Sequence, residues 1–268
     1  MTFNEALKLW NKPEALRLLS FVTGLTATEI ILDTERELNE TARFLTLIEK
    51  RKAHVPLQYL TGRWEFFGLT FITDPRALIP RPETEILTEA VIKHSSGKSL
   101  KILDLCAGSG CIAVTLAKMT GAASVTAADI SAAALSLAKE SADLNGVTAK
   151  IDFIESDLFY GLKNEVYDVI VSNPPYIPAG EIEDLQPEVR DYEPRFALDG
   201  GADGLNFYRR IIPESVSHLS PGGALFLETG TGSREVIQIM EENGFINIQK
   251  TPDYAGFIRV IKGEKPHV

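Results

Sequence analysis

The chain has 268 residues, with 27 Lys and Arg against 37 Asp and Glu, a formal net charge of −10 and 44% hydrophobic residues. That length suits a main domain plus a smaller one, and the acidic balance disfavours a protein whose affinity comes from neutralising the phosphates of duplex DNA. No apolar run approaches the ~20 residues that cross a bilayer, and the opening "MTFNEALKLWNKPEAL" is amphipathic and charged rather than signal-like, so a cytoplasmic protein without membrane association is expected.

From residue 1 to about 55 apolar residues recur at helical spacing: Leu7 and Trp10, Leu16 and Leu19, then Phe44, Leu45, Leu47 and Ile48. Pro13 suits the first turn of a second helix, and "TATEIIL" offers a Thr cap followed by a Glu. Residues 1–58 are therefore expected to form a small helical domain. Its one basic cluster, "EKRKAH" at 49–54, reads as the solvated end of a helix. "LQYLTGRWEFFGLTFITDPRALIP" is rich in aromatics and β-formers punctuated by Gly62, Gly68 and Asp74-Pro75, which predicts a β-hairpin linker over 59–82.

From residue 83 onward the pattern alternates. A helix in "TEILTEAVIKH" precedes the strands "LKILDL" and "ASVTAAD", each followed by a helix, "CIAVTLAKM" and then "SAAALSLAKESADLN" with Ser131 as its cap. "KIDFIE", "YDVIVS", "GALFLE", "INIQK" and "FIRVIK" supply further strands, with helices in "GLNFYRRIIPESVSHL" and "SREVIQIMEEN". Strands alternating with helices imply an α/β domain with a parallel, doubly wound sheet, whose ligands bind beyond the carboxyl ends of the strands.

At those ends, "LDLCAGSGCIA" follows the first strand of the repeat. Gly108 and Gly110 let the backbone turn sharply and approach a ligand, and Ala113 falls where a small residue allows tight helix packing. Such a glycine turn also occurs for purely structural reasons, so its context decides. Asp129 ends the next strand 19 residues beyond Gly110, the separation of a carboxylate that accepts from both hydroxyls of an adenosine ribose. Asp104, near the end of the preceding strand, can accept from a cofactor's ammonium group or from loop amides. A carboxylate there suits a sulfonium cofactor with an amino-acid tail better than a pyrophosphate. Asp157 in "ESDLF" either meets the adenine amino group, with Leu158 or Phe159 packing the ring, or caps a turn.

The strand "YDVIVS" ends in Asn173-Pro174-Pro175-Tyr176, a corner that continues neither a ladder nor a helix. These residue types suit methylation of a nitrogen whose lone pair is delocalised, as in a carboxamide or an exocyclic base amine. The Asn173 side-chain oxygen and the Pro174 carbonyl can accept both N–H bonds of such a group, favouring the localised-pair geometry of the transition state. Tyr176 offers a flat face for stacking, and the prolines hold the acceptors still. Cys106 and Cys111 read as small buried residues, the four scattered histidines support neither imidazole catalysis nor a metal site, and no metal is expected.

"YDVIVSNPPY", "LDLCAGSGCIAVTLA", "SDLF", "LIPRPETEIL" and "YEPRFALDGGADGLNFYRRI" together resemble the peptide chain release factor glutamine N5-methyltransferases over essentially the whole chain. "NPPY" alone is shared with N6-adenine DNA and some ribosomal RNA methyltransferases, which leaves an exocyclic-amine methyltransferase as the alternative. The resemblance implies a helical N-terminal domain that recognises the protein substrate, a hairpin linker, and a seven-stranded Rossmann-like methyltransferase domain over 83–268. It implies transfer from S-adenosylmethionine to the glutamine of the Gly-Gly-Gln loop of release factors, and a monomer is expected. Carried over by position, Cys106, Ala107, Gly108, Ser109, Gly110, Asp129, Leu158 and Asn173 are expected at the cofactor, with Asp157, Arg81 and Thr84 beside them. Asn173, Pro174, Pro175 and Tyr176 are expected to hold the glutamine, with Asn173, Pro174 and Tyr176 in the catalytic role. Arg81 has a second reading, as the partner of a neighbouring acid. Two departures stand out: "CAGSG" replaces a more usual Gly-Thr before the shared glycines, and "ETGTGSRE" lacks a Gln usually found beyond its Glu. No role is therefore assigned to Glu228 and its neighbours, which read at least as well as a strand end and helix cap.

Overall fold

The computed structural model describes residues 1–267. The chain divides into two compact units, one of residues 1–63 with 186–192, the other of 64–185 with 193–267.

In the first unit the first three helices are individually capped. Helix α1 (Phe3–Leu7) starts at a capping box of Thr2 and Glu5. Helix α2 (Lys12–Thr23) has Asn11 as its cap and Pro13 in its first turn, and stops at the left-handed Gly24. Thr26 and Glu29 form a second capping box for α3 (Ala27–Leu32). Helices α4 (Thr41–Lys52) and α5 (Leu57–Thr61) follow. Phe3, Leu18, Leu19, Ile30, Phe44, Leu47 and Ile48 are buried, so most of the apolar periodicity becomes a core, while Leu45 of the same run is exposed. Helix α5 lies where the sequence predicted extended chain. "LQYLT" contains good β-formers, yet the left-handed Gly62 that follows ends a helical turn.

The hairpin of β1 (Arg63–Phe66) and β2 (Leu69–Ile72) forms a separate two-stranded sheet. Helix α6 (Pro82–Ser95) then leads into the alternating part: β3 (Lys101–Leu105), α7 (Cys111–Met119), β4 (Ser124–Asp129), α8 (Ala132–Asn145), β5 (Ile151–Glu155) and β6 (Tyr167–Ser172). The short helix α9 (Pro187–Arg190) belongs to the first unit, where Arg51 bridges Glu14 of α2 and Glu188 of α9. Helix α10 (Asn206–His218), β7 (Leu219–Glu228), α11 (Ser233–Glu242), β8 (Ile246–Pro252) and β9 (Ile258–Glu264) complete the chain.

The seven strands run in the order β5-β4-β3-β6-β7-β9-β8. The sheet is mixed rather than wholly parallel, since β9 runs antiparallel to both β7 and β8. Alternate residues of each strand enter opposite cores. Ile102, Val169, Val171 and Phe226 pack with α7 and with Leu87 and Val91 of α6. Leu103, Leu105, Ile170, Leu225 and Leu227 pack with Tyr208, Ile211 and Ile212 of α10 and with Val236 and Met240 of α11. Ser172 pairs in register with both Leu105 and Leu227, so the carboxyl ends of β3, β6 and β7 reach the same edge.

Candidate active site

Strand order reverses between β3 and β6, so the loops leaving them part and open a crevice at the sheet's carboxyl edge. A cavity of about 270 Å³ fills it, lined by Arg81, Thr84, Cys106, Ala107, Gly108, Ser109, Asp129, Asp157, Leu158, Asn173 and Pro175 among others. Nearly every residue assigned to a cofactor thus borders one hollow. Gly110 does not. It holds φ +75°, and a Cβ there would come 2.7 Å from Ala138 Cβ, so it lets α7 press against α8. Leu158 reaches the cavity, while Phe159 stacks on His218 with ring centroids 4.7 Å apart.

Asp129 is nearly buried, and each carboxylate oxygen accepts one backbone N–H, Gly108 at 2.8 Å and Ser131 at 2.9 Å. Burial raises its pKa and those amide bonds oppose the rise. Both oxygens keep lone pairs for further donors such as ribose hydroxyls. Asp104 is fully buried and bonds a helix amide. Its Oδ2 accepts from Ala113 N at 2.9 Å in the first turn of α7, and its Oδ1 has no partner among the described residues. Burial lifts its pKa to about 8.

Asp157 is engaged by Arg210, whose Nη2 donates at 2.8 Å, and both face the cavity. Arg81 also lines it and pairs with the buried Glu193, whose other oxygen accepts from Ile79 N at 3.0 Å. Cys106 has φ +62°, a strained conformation for a side chain, at the position where glycine was the more usual residue. Burial pushes both thiols up, Cys111 to about 12, so neither is a thiolate at neutral pH.

The corner joins two hollows. Asn173 and Pro175 face the cavity, whereas Tyr176 lines a second cleft of about 420 Å³ with Glu181, Asp203, Thr229, Gly230 and Glu235. Asn173 Nδ2 donates to Thr84 Oγ1 at 3.1 Å, leaving Oδ1 for other donors. Burial, reinforced by the nearby Glu228, raises the Tyr176 pKa strongly, so its hydroxyl stays a donor at neutral pH. The segment after the corner is bound to it by backbone bonds from Ile177 N to Leu198 O at 3.0 Å and from Gly200 N to Ile177 O at 2.8 Å. Glycines make that approach possible: a Cβ on Gly200 would lie 2.7 Å from Tyr176 Cα, and one on Gly230 2.8 Å from Tyr176 Cδ2.

Sequence reasoning missed several residues of the wall. Ile130, Phe196, Phe207 and Arg210 all line the cavity, and Ile130 and Phe196 are exposed apolar side chains. An apolar residue directly after the strand-end Asp129 was the available signal for Ile130. Nothing in the local pattern marks the other three.

The N-terminal region, residues 11–62, matches the family model described as PrmC N-terminal domain, and residues 82–186 match the Methyltransferase small domain. A release factor glutamine methyltransferase of Geobacter sulfurreducens is 42% identical over 249 residues, covering 92% of this chain and 87% of that one. The chain belongs to the release factor glutamine methyltransferase family. A second member, from Moorella thermoacetica, is 41% identical over 91% of this chain and 87% of its own. Among solved structures, a methyltransferase from Pyrococcus furiosus aligns with TM-score 0.55 at 19% identity, covering 85% of this chain and 98% of that one. A 16S rRNA N2 G1207 methyltransferase of T. thermophilus, in complex with AdoMet and guanosine, aligns with TM-score 0.55 at 21% identity, covering 76% and 49%. Those likenesses concern the fold. S-adenosylmethionine is the cofactor of this family member, and the residues present fit it: Asp129 retains acceptor capacity, and the remaining wall is largely apolar.

Proposed function

We propose that this chain transfers a methyl group from S-adenosylmethionine to the side-chain amide nitrogen of the glutamine in the Gly-Gly-Gln motif of peptide chain release factors. One observation carries the reading: a rigid asparagine corner at the end of β6 borders the cofactor cavity, in a chain 42% identical to a release factor glutamine methyltransferase.

When bound, S-adenosylmethionine supplies an electrophilic methyl group. The protein's part is to present a weak nucleophile. Asn173 Oδ1 and the Pro174 carbonyl accept the two N–H bonds of the substrate carboxamide, holding its lone pair out of conjugation and aimed at the cavity. Tyr176 supports the planar amide from its face. On accepting the methyl group the substrate nitrogen would have one proton to lose, which water can take. No strong base is needed before attack. Cofactor-side roles fall to Asp129 at the ribose hydroxyls, Asp157 and Leu158 at the adenine, and the 106–109 loop, Arg81 and Thr84 around the remainder. Gly110 supports that loop from behind.

The helical unit serves as the recognition domain for the release factor, supported by its match to the PrmC N-terminal domain. The enzyme acts on release factors as a monomer in the cytoplasm. Incubating a purified release factor with the enzyme and labelled S-adenosylmethionine, followed by peptide mass spectrometry, should place one methyl group on the loop glutamine. Label in RNA or DNA instead would favour the exocyclic-amine alternative.

A further inference from the structure

Arg210 faces the cofactor cavity, and the chemistry above gives it no part. It stands one turn beyond Phe207 on α10, a spacing that puts both side chains on one face of the helix, and both line the cavity. Its Nη2 donates to Asp157 Oδ1 at 2.8 Å across 53 residues of chain. No hydrogen bond among the described residues reaches Asp157 Oδ2. The side chains of the pair are half-exposed, Arg210 at 46% and Asp157 at 50%.

An ion pair this open to water contributes little to stability, because solvent screens it and two flexible side chains must be held in one geometry. Its place on the cavity wall gives it another use. A carboxylate accepts hydrogen bonds and has none to give, and its two oxygens share a plane, so a guanidinium held on Oδ1 orients the lone pairs of Oδ2. The amino group of a 6-aminopurine offers two N–H donors and suits that acceptor. A 6-oxopurine presents lone pairs at the same position and is repelled. Without the guanidinium the carboxylate turns more freely about χ2 and the preference weakens. Leu158 and Phe207, close to the pair in sequence, line the same cavity and are apolar, so the pair is the polar group there that can read the edge of a base.

We propose that Arg210 is a positioning residue that sets base specificity: it holds the Asp157 carboxylate with Oδ2 toward the base of the cofactor, and so selects a 6-aminopurine over a 6-oxopurine. The inference rests on the reading above that puts the adenine at Asp157. A base seated there takes water from the pair, and its hydrogen bonds strengthen as the local dielectric falls. Arg210 acts through Asp157 and takes no part in presenting the substrate carboxamide, so its effect falls on cofactor binding.

Calorimetry on the full chain compares S-adenosylhomocysteine with its 6-oxo analogue, S-inosylhomocysteine. The wild-type enzyme should bind the adenosyl compound at least about tenfold more tightly. Arg210→Met should weaken that binding and narrow the preference to about threefold or less, with Arg210→Lys, which keeps a charged donor but not the planar fork, in between. Asp157→Asn can present an N–H to a 6-oxo group and should narrow the preference too. The double variant Arg210→Met with Asp157→Asn should bind the adenosyl compound no more weakly than the weaker single one, since both break one chain of bonds. In methyl transfer the Arg210→Met loss should appear in KM for S-adenosylmethionine rather than in kcat. The proposal is overturned if the wild-type enzyme does not prefer the adenosyl compound, if Arg210→Met keeps the wild-type preference, or if the two single losses multiply in the double variant. An Asp157→Asn variant that binds both compounds as the wild type does would remove the adenine from Asp157, and the proposal with it. The binding comparison needs no release factor, so absence of methyl transfer by the wild-type enzyme would overturn the functional reading while this test still decides its own question.

Discussion

Asn173 and Asp129 sit at the carboxyl ends of strands two apart in the sheet, yet their removal should separate kinetically. Asn173→Ala removes one preorganised contact of the transition state, and kcat should fall about 10²- to 10³-fold, or about 3 to 4 kcal/mol, with a smaller change in substrate affinity. A fall of less than about fivefold would contradict the role given to Asn173. Asp129→Ala should instead weaken S-adenosylhomocysteine binding, since charge-assisted hydrogen bonds worth about 1.5 to 3 kcal/mol each are lost. Calorimetry reads this directly. Asp104 bears on stability. Its pKa is raised from the ordinary carboxylate value of 3.8 to about 8. Between those limits the folded chain holds a proton that the unfolded chain has released, so stability falls as pH rises through the window and levels off above it. Asp104→Asn keeps an acceptor for Ala113 N and should flatten that part of the Tm-against-pH curve while leaving cofactor affinity intact. Asn173 and Asp129 were legible in the sequence because strand ends and glycine spacing announce them. Arg210 was not, because its pairing with Asp157 spans 53 residues and depends on how α10 packs against the sheet.

Helices and strands were readable wherever a cap or a period marked them, as at Thr26 with Glu29, or at Ser131, whose side chain accepts from Ala134 N. The stretch from 173 to 205 has no period to read. Its shape comes from backbone bonds such as Ala179 N to Gly201 O at 2.8 Å and from glycines that admit a close approach. Gly204 is one such position. It holds φ +76°, and a Cβ on it would collide with the Tyr176 carbonyl oxygen. Gly204→Ala therefore combines left-handed strain with a clash against the corner. Methyl transfer should fall at least about tenfold while S-adenosylhomocysteine affinity stays within about twofold, because the displaced group is Tyr176 and not the cofactor wall. Unchanged turnover would show that the 195–204 segment does not brace the corner.

At the scale of the whole molecule, the sequence announced a helical part and an α/β part. It did not announce that residues 186–192 return to the helical unit. That return is held by Arg51, which is 8% exposed and donates to Glu14 at 2.8 Å and to Glu188 at 3.1 Å. No periodicity encodes a contact spanning 137 residues. Arg51→Ala leaves two carboxylates facing each other and should destabilise the helical unit by about 2 to 3 kcal/mol, the low end for a buried pair because both acids are partly solvated. KM for the release factor should rise, with S-adenosylhomocysteine affinity unchanged. Equal loss of both would contradict a separate recognition role for that unit. Tandem mass spectrometry of a release factor incubated with wild-type enzyme or Asn173→Ala and S-adenosylmethionine reads the transfer at its target atom. One methyl group on the amide nitrogen of the Gly-Gly-Gln glutamine, nearly absent with the variant, is the expected result. An unmodified glutamine, or equal modification by the variant, would contradict it.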